Sequence, residues 1–77
     1  MLNGKPIEDL APHTQRMVEE YAQLSTRLNA LRTFIKDNPI YANLDFEERC
    51  DLVEQSLGMD TYQTYLERRI KRATSKS

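Results

Sequence analysis

Residues 12–37, PHTQRMVEEYAQLSTRLNALRTFIKD, decide the fold of this 77-residue chain. Apolar side chains recur in this stretch at alternating spacings of four and three residues, the heptad pattern of a helix that packs against another helix. This stripe consists of Met17, Tyr21, Leu24, Leu28, Leu31 and Ile35. Pro12 suits the first turn of a helix, where its missing N–H group costs nothing. Asn38 precedes Pro39 and therefore avoids helical backbone angles. We predict one helix over about residues 12–37.

A second helical pattern begins near Asp45. Asp45 followed by Glu48 is typical of a capping box, in which an acidic side chain caps the start of a helix. Apolar residues then recur every seven positions at Leu52, Met59 and Leu66. Gly58 interrupts this pattern and either kinks the helix or divides it, and a continuous or kinked helix over about residues 45–72 is the interpretation we favour.

The predicted fold class is therefore all-α, a helical hairpin in a single domain over residues 1–77. Residues 38–44 form the connection, residues 73–77 form a frayed basic tail, and residues 7–10 in the short N-terminal segment are compatible with one helical turn. The connection contains Ile40, Tyr41 and Leu44. It is more apolar than a free loop needs, so we expect it to tuck under the hairpin end or to contact another subunit.

Size and pattern together predict a homo-oligomer. A core of fewer than about 80 residues rarely supplies more than about 3–5 kcal/mol of stability. The apolar faces also extend beyond one stripe, because Val18, Phe34, Val53 and Tyr65 lie beside it. Two helices alone would leave these residues exposed, so we expect further copies of the chain to cover them.

Composition excludes several classes of protein. No run of 18 apolar residues and no apolar signal-peptide stretch occurs, so we expect a cytoplasmic protein that does not contact a membrane. One cysteine and one histidine exclude an internal disulfide and the usual structural zinc sites. His13 and Cys50 lie in different helices, and Cys50 fits a small buried apolar residue better than a nucleophile. No catalytic motif, metal site or cofactor site is indicated, so an enzyme is the weakest option.

Charge is distributed unevenly along the chain. Residues 1–67 carry six basic and twelve acidic side chains, whereas residues 68–77 carry five basic side chains and no acid. The basic end is either a solvated tail or a contact for an anion. The whole chain has a pI near 5.8, which argues against a dedicated nucleic-acid-binding domain.

The first helix offers a second candidate for anion binding. Arg27 and Asn29 flank Leu28 of the apolar stripe, and Arg32 and Lys36 follow on nearby turns. An arginine beside a subunit seam can hold a phosphate with two hydrogen bonds, and an asparagine can bind a base or sugar. Ordinary charge at the flank of a helix pair explains the same residues, and spacing alone does not decide between the two interpretations.

The hydrophobic pattern and a few polar positions resemble a family of short phage proteins. The resemblance covers about residues 13–70, and its motifs run as Gln15-Arg16-Met17-Val18-x-Glu20, Leu24, Arg27-Leu28, Leu31, Phe34-Ile35, Leu44, Glu47-Glu48, Leu52, Gln55, Leu57, Met59, Tyr62, Leu66 and Arg69-Ile70. Members of this family include the anti-CBASS cyclic-nucleotide sponge.

The resemblance implies a fold and a function. Proteins of the sponge type are helical homohexamers that bind cyclic dinucleotides, such as cyclic GMP–AMP, between protomers and cyclic trinucleotides in separate pockets. They do not cleave these molecules and need no cofactor. By sequestering the signal in the cytoplasm of the infected bacterium, they keep the CBASS effector inactive.

The resemblance also implies which residues bind. Arg27 occupies the position of a ligand-contacting lysine, and Asn29 that of a nearby threonine. An aromatic residue that stacks on a base aligns with Pro12 or His13, a departure that affects dinucleotide affinity or base preference. Arg69, or Arg68 if the register slips, corresponds to an arginine of the trinucleotide pocket.

Two alternatives belong to other classes. An oligomeric helical phage protein could bind another protein through an aromatic row made by Tyr41, Tyr62 and Tyr65. A nucleic-acid-binding module could use the basic residues 68–77, and its binding would then depend on salt.

Overall fold

The computed structural model describes residues 11–75 of the chain. In this range the chain forms three helices, α1 (Pro12–Asp37), α2 (Pro39–Ala42) and α3 (Phe46–Ser75). α1 and α3 lie side by side in opposite directions and form a rod of 50 × 17 × 16 Å. The all-α class with two long helices is thus confirmed for the described part of the chain. The helical turn considered at residues 7–10 lies outside the described residues, as do residues 76 and 77 of the predicted tail.

Asn38 ends the first helix and begins the next. Its backbone N–H donates to the carbonyl of Phe34 at 3.1 Å, which closes the last turn of α1. Its side-chain Oδ1 accepts a hydrogen bond from the backbone N–H of Ile40 at 2.8 Å, which caps α2. Pro39 follows at the first position of α2, where the absence of an N–H group costs nothing. One residue therefore separates two helices that run in different directions.

The connection differs from the predicted irregular segment, because it contains the helical turn α2. Tyr41 packs its ring edge-on against Phe34, with the centroids 6.0 Å apart, and its hydroxyl donates to the carbonyl of Arg49 at 3.4 Å. Tyr41 therefore packs under the hairpin end, which was one of the two expectations for the connection; the other was a contact with another subunit. Ile40 does not, because 61% of it remains exposed.

α3 begins at the predicted cap. Oδ1 of Asp45 accepts a hydrogen bond from the backbone N–H of Glu48 at 2.8 Å. The helix then continues through Gly58 without a break and ends at Ser75, so the prediction of an end near residue 72 and a frayed segment from residue 73 is wrong for residues 73–75. Thr74 is buried against the rest of the hairpin, which explains why the helix persists, and its hydroxyl donates to the carbonyl of Ile70 at 2.9 Å.

The core lies between α1 and the second half of α3. Met17 and Leu24 from α1 form a cluster with Leu66 and Ile70 from α3. The partly buried residues packed against this cluster are Val18, Tyr21, Met59 and Ala73. All six residues of the predicted α1 stripe are buried or half-buried. The stripe therefore positions α3 along α1 and leaves most of the residues between its members exposed.

Candidate functional site

Arg27 and Asn29 lie on opposite sides of one protomer. Successive residues of a helix are separated by 100°, so residues two apart do not face each other. Leu28 between them is buried at 1% exposure, and both flanking side chains are exposed. The structure therefore places these two predicted ligand contacts at the two edges of the hairpin, where one small molecule cannot touch both within one chain.

Asn29 lines an open groove at the end of α1. The groove has a volume of about 640 Å³. Its lining comprises Asn29, Ala30, Thr33, Phe34, Asp37, Asn38 and Pro39. Asn29, Thr33 and Asp37 are spaced four residues apart and therefore share one face of the helix. The lining offers hydrogen-bonding groups and one carboxylate. Lys36, seven positions after Asn29, lies on the same side of the helix and is exposed.

Arg32 and Lys36 have different roles in the structure. A guanidinium nitrogen of Arg32 lies 3.1 Å from Oδ1 of Asp60, and about half of each side chain is exposed. This ion pair joins α1 to α3, so the guanidinium of Arg32 is already partnered. Lys36 is exposed in the last turn of α1, where its positive charge complements the negative end of the helix dipole.

Pro12 and His13 lie at the other end of α1. Both are exposed, and Nε2 of His13 lies 3.5 Å from the hydroxyl of Thr14. Fourteen residues separate His13 from Arg27, which corresponds to roughly 21 Å along the helix at 1.5 Å per residue. A single protomer therefore does not bring the aromatic-position candidates and Arg27 into one pocket.

Arg68 and Arg69 are exposed near the end of α3, which lies beside the start of α1 because the helices are antiparallel. The guanidinium carbon of Arg68 lies 5.0 Å from the centre of the Tyr65 ring, a cation–π contact. Lys71 is paired with Glu67 at 3.4 Å. Arg69 thus projects from the basic end without the ring contact that holds Arg68.

Sequence reasoning missed two contacts beside the candidates. Thr33 shares the groove with Asn29, and Tyr65 lies under Arg68. Both follow from spacing, since residues three or four apart are neighbours on a helix surface. The signal was present in the sequence, but nothing in one sequence distinguishes these neighbours from any other pair at the same spacing.

The structure places the residues of the predicted tyrosine row and Cys50 only partly as expected. Tyr62 and Tyr65 are exposed on α3, whereas Tyr41 is half-buried against Phe34, so the three tyrosines do not form one exposed row. Cys50 is exposed rather than buried as expected, because it lies on the side of α3 turned away from α1. Within residues 11–75, no group of three or more His, Cys, Asp or Glu side chains could hold a metal ion.

Comparison with known proteins gives one match. The family model described as Sequestin matches residues 11–72, which include α1, α2 and most of α3. The resemblance to a sponge-type family is thereby confirmed at the level of the family. No curated protein and no solved structure matches the chain. In the part of the chain that the structure describes, no helix has the length and apolar character required to cross a membrane.

Proposed function

Since the chain belongs to the Sequestin family, we propose that it is a phage-encoded sponge that sequesters cyclic di- and trinucleotide signals and so blocks CBASS immunity. The family match is the observation that carries this proposal, because the name denotes a sequestering protein. Sequestration requires binding without cleavage. It is compatible with a chain whose candidate residues are cations and hydrogen-bond donors rather than paired acids and bases.

The position of the dinucleotide candidates favours a pocket between protomers. Arg27 and Asn29 lie at opposite edges of the hairpin, and His13 lies about four turns of helix away from Arg27. A pocket that contains all of them must combine different chains. A two-fold interface presents the same arginine twice, which matches the two phosphates of a cyclic dinucleotide. Asn29 would then contact a base or sugar, and His13 or Pro12 would cover a base.

The basic end favours a second pocket with three-fold symmetry. A cyclic trinucleotide carries three phosphates, and a three-fold axis presents one arginine to each of them. Arg69 is the better candidate because Arg68 is held over the ring of Tyr65. A closed assembly that contains both two-fold and three-fold axes needs at least six copies. The proposed oligomer is therefore a homohexamer in the host cytoplasm.

Isothermal titration calorimetry of the full chain with cyclic GMP–AMP tests the proposal. We expect tight binding with fewer than one ligand per chain, and recovery of intact ligand after the protein is heated. Arg27→Ala should weaken binding about 10- to 100-fold, the usual value of a charged hydrogen bond. Arg16→Ala removes another exposed arginine of α1 and is the matched control.

The same experiment can overturn the proposal. Absence of binding to cyclic GMP–AMP and to a cyclic trinucleotide at millimolar concentration would remove the sponge function. Unchanged affinity in Arg27→Ala, with wild-type binding otherwise, would remove Arg27 from the site. Salt-dependent binding of DNA that disappears when residues 68–77 are deleted would favour the nucleic-acid alternative instead.

A further inference from the structure

The groove at the end of α1 combines an apolar surface with a row of polar side chains. The apolar surface comes from Ala30, Phe34 and Pro39, and the row consists of Asn29, Thr33 and Asp37. Positions 30 and 34 follow the row on the next part of the helix surface, since successive residues turn by 100°. The ring of Phe34 is held edge-on against Tyr41, so this surface is fixed in place. The groove therefore offers a flat molecule an apolar surface for its face and hydrogen-bonding groups for its edge.

Thr33 differs from the other threonines of residues 11–75. The threonines at positions 26, 61, 64 and 74 each donate their hydroxyl to the backbone carbonyl four positions earlier. The hydroxyl of Thr14 lies 3.5 Å from Nε2 of His13. The hydroxyl of Thr33 has no such partner in this part of the chain, and Thr33 is exposed in the groove. It is therefore free to donate a hydrogen bond to a bound molecule.

Asp37 carries its carboxylate at an unfavourable place. It is the last residue of α1, where the negative end of the helix dipole repels negative charge. Among residues 11–75 the ion pairs are Arg32–Asp60 and Lys71–Glu67, so Asp37 has no ion-pair partner there that offsets this cost. Residues that break a local rule in this way are expected at functional sites. The carboxylate is available to accept hydrogen bonds from a ligand in the groove.

We propose that this groove selects a guanine base of the cyclic dinucleotide. The proposal rests on the proposed function and adds the base that its site prefers. Guanine presents two adjacent N–H donors, N1–H and the N2 amino group, beside the acceptors O6 and N7. The carboxylate of Asp37 can accept from both donors at once. One turn away, roughly 6 Å along the helix axis, the hydroxyl of Thr33 donates to O6, and the amide of Asn29 follows at N7.

The other bases are less complementary to Asp37. Adenine and cytosine each place one amino group beside a ring-nitrogen acceptor on this edge, and uracil places one N–H between two carbonyl groups. Each of them would bring an acceptor towards a carboxylate, which only accepts hydrogen bonds. A site that hydrogen-bonds one ligand rejects an analogue that leaves its polar groups unpaired. Asp37 is thus the residue that determines base preference, and Thr33 supports it.

Isothermal titration calorimetry of the full chain with cyclic di-GMP, cyclic GMP–AMP and cyclic di-AMP tests this assignment. We expect wild-type protein to bind cyclic di-GMP at least about tenfold more tightly than cyclic di-AMP. Asp37→Asn should weaken cyclic di-GMP binding about 10- to 100-fold and leave cyclic di-AMP binding nearly unchanged, because only guanine uses both carboxylate oxygens. Thr33→Val removes one neutral hydrogen bond and should weaken cyclic di-GMP binding about 3- to 10-fold. Asp51→Asn makes the same change at an exposed residue of α3 and should keep the wild-type preference.

The pattern of affinities separates this assignment from the sponge function. Equal affinity for cyclic di-GMP and cyclic di-AMP, or a guanine preference that Asp37→Asn keeps, overturns the guanine site and leaves the sponge function standing. Absence of binding to all three dinucleotides overturns the dinucleotide part of the proposed function together with this site. A lower mass of Asp37→Asn in sedimentation equilibrium, with its base preference unchanged, would show instead that another copy of the chain occupies the groove. Circular dichroism of each variant checks that the helices are retained.

Discussion

The two halves of the hairpin bury their apolar residues to different extents. Every buried residue of α3 lies in its C-terminal two thirds, namely Ser56, Leu66, Ile70 and Thr74. At the connection end, Ile40, Phe46, Val53 and Leu57 are large apolar residues that remain exposed. The two ends therefore contribute unequally to the stability of one protomer.

The difference shows that the apolar residues of α3 have two tasks. Leu66 and Ile70, beyond Gly58, close the core against α1, whereas Phe46, Val53 and Leu57, before Gly58, lie on another face and are exposed to solvent. The apolar residues of the connection end are available for assembly, while those of the other end are already used in folding. Substitutions at the two ends should therefore separate folding from assembly.

The largest expected effect comes from Leu66→Ala. Leu66 is 1% exposed at the centre of the core cluster, and removal of such a side chain leaves a cavity that costs about 2–5 kcal/mol. Ile40→Ala, at 61% exposure, is the matched change at the connection end and should cost less than about 1 kcal/mol. Urea unfolding at one protein concentration measures both. Equal losses would contradict the division between the two ends.

The fold was largely predictable from the sequence because helix packing follows periodicity. The stripe from Met17 to Ile35, the stop at Asn38 and the cap at Asp45 all correspond to features of the structure. The end of α3 was not predictable, because Thr74 is polar in the sequence. Thr74 stays in the helix because it is buried, and only the packed structure provides that burial.

The candidate site was less predictable than the fold. The family resemblance assigned Arg27 and Asn29 to one ligand, yet the helix turns them to opposite edges of the protomer. Arg32 looked like a free cation, and its partner Asp60 is 28 positions away on another helix. Periodicity reports which face is buried, whereas a pocket depends on contacts between helices and between chains.

A smaller effect is expected at Gly58, which lies between the two halves of α3. A Cβ atom added there would meet nothing within 4 Å in the described chain. Glycine inside a helix costs roughly 0.5–1 kcal/mol relative to alanine, so Gly58→Ala should stabilise a protomer by that amount. Thermal unfolding measured by circular dichroism gives the shift.

Ala22→Gly, at an exposed position of α1, is the reverse control and should destabilise by a similar amount. Destabilisation by Gly58→Ala would contradict the open surroundings of this residue.

The smallest effect concerns the ion pair between Arg32 and Asp60, which bridges α1 and α3 near the boundary between the two halves. Half of each side chain is exposed, so solvent screens the 3.1 Å contact and its contribution should be about 0.2–1 kcal/mol. A double-mutant cycle with Arg32→Ala and Asp60→Ala isolates this coupling. We expect it to fall when salt is raised from 0.01 M to 1 M, since screening shortens the range of the interaction. A coupling above about 2 kcal/mol, or one insensitive to salt, would mean that the Arg32–Asp60 pair is buried in the assembled protein. The surface used for assembly would then extend from the connection end past Gly58.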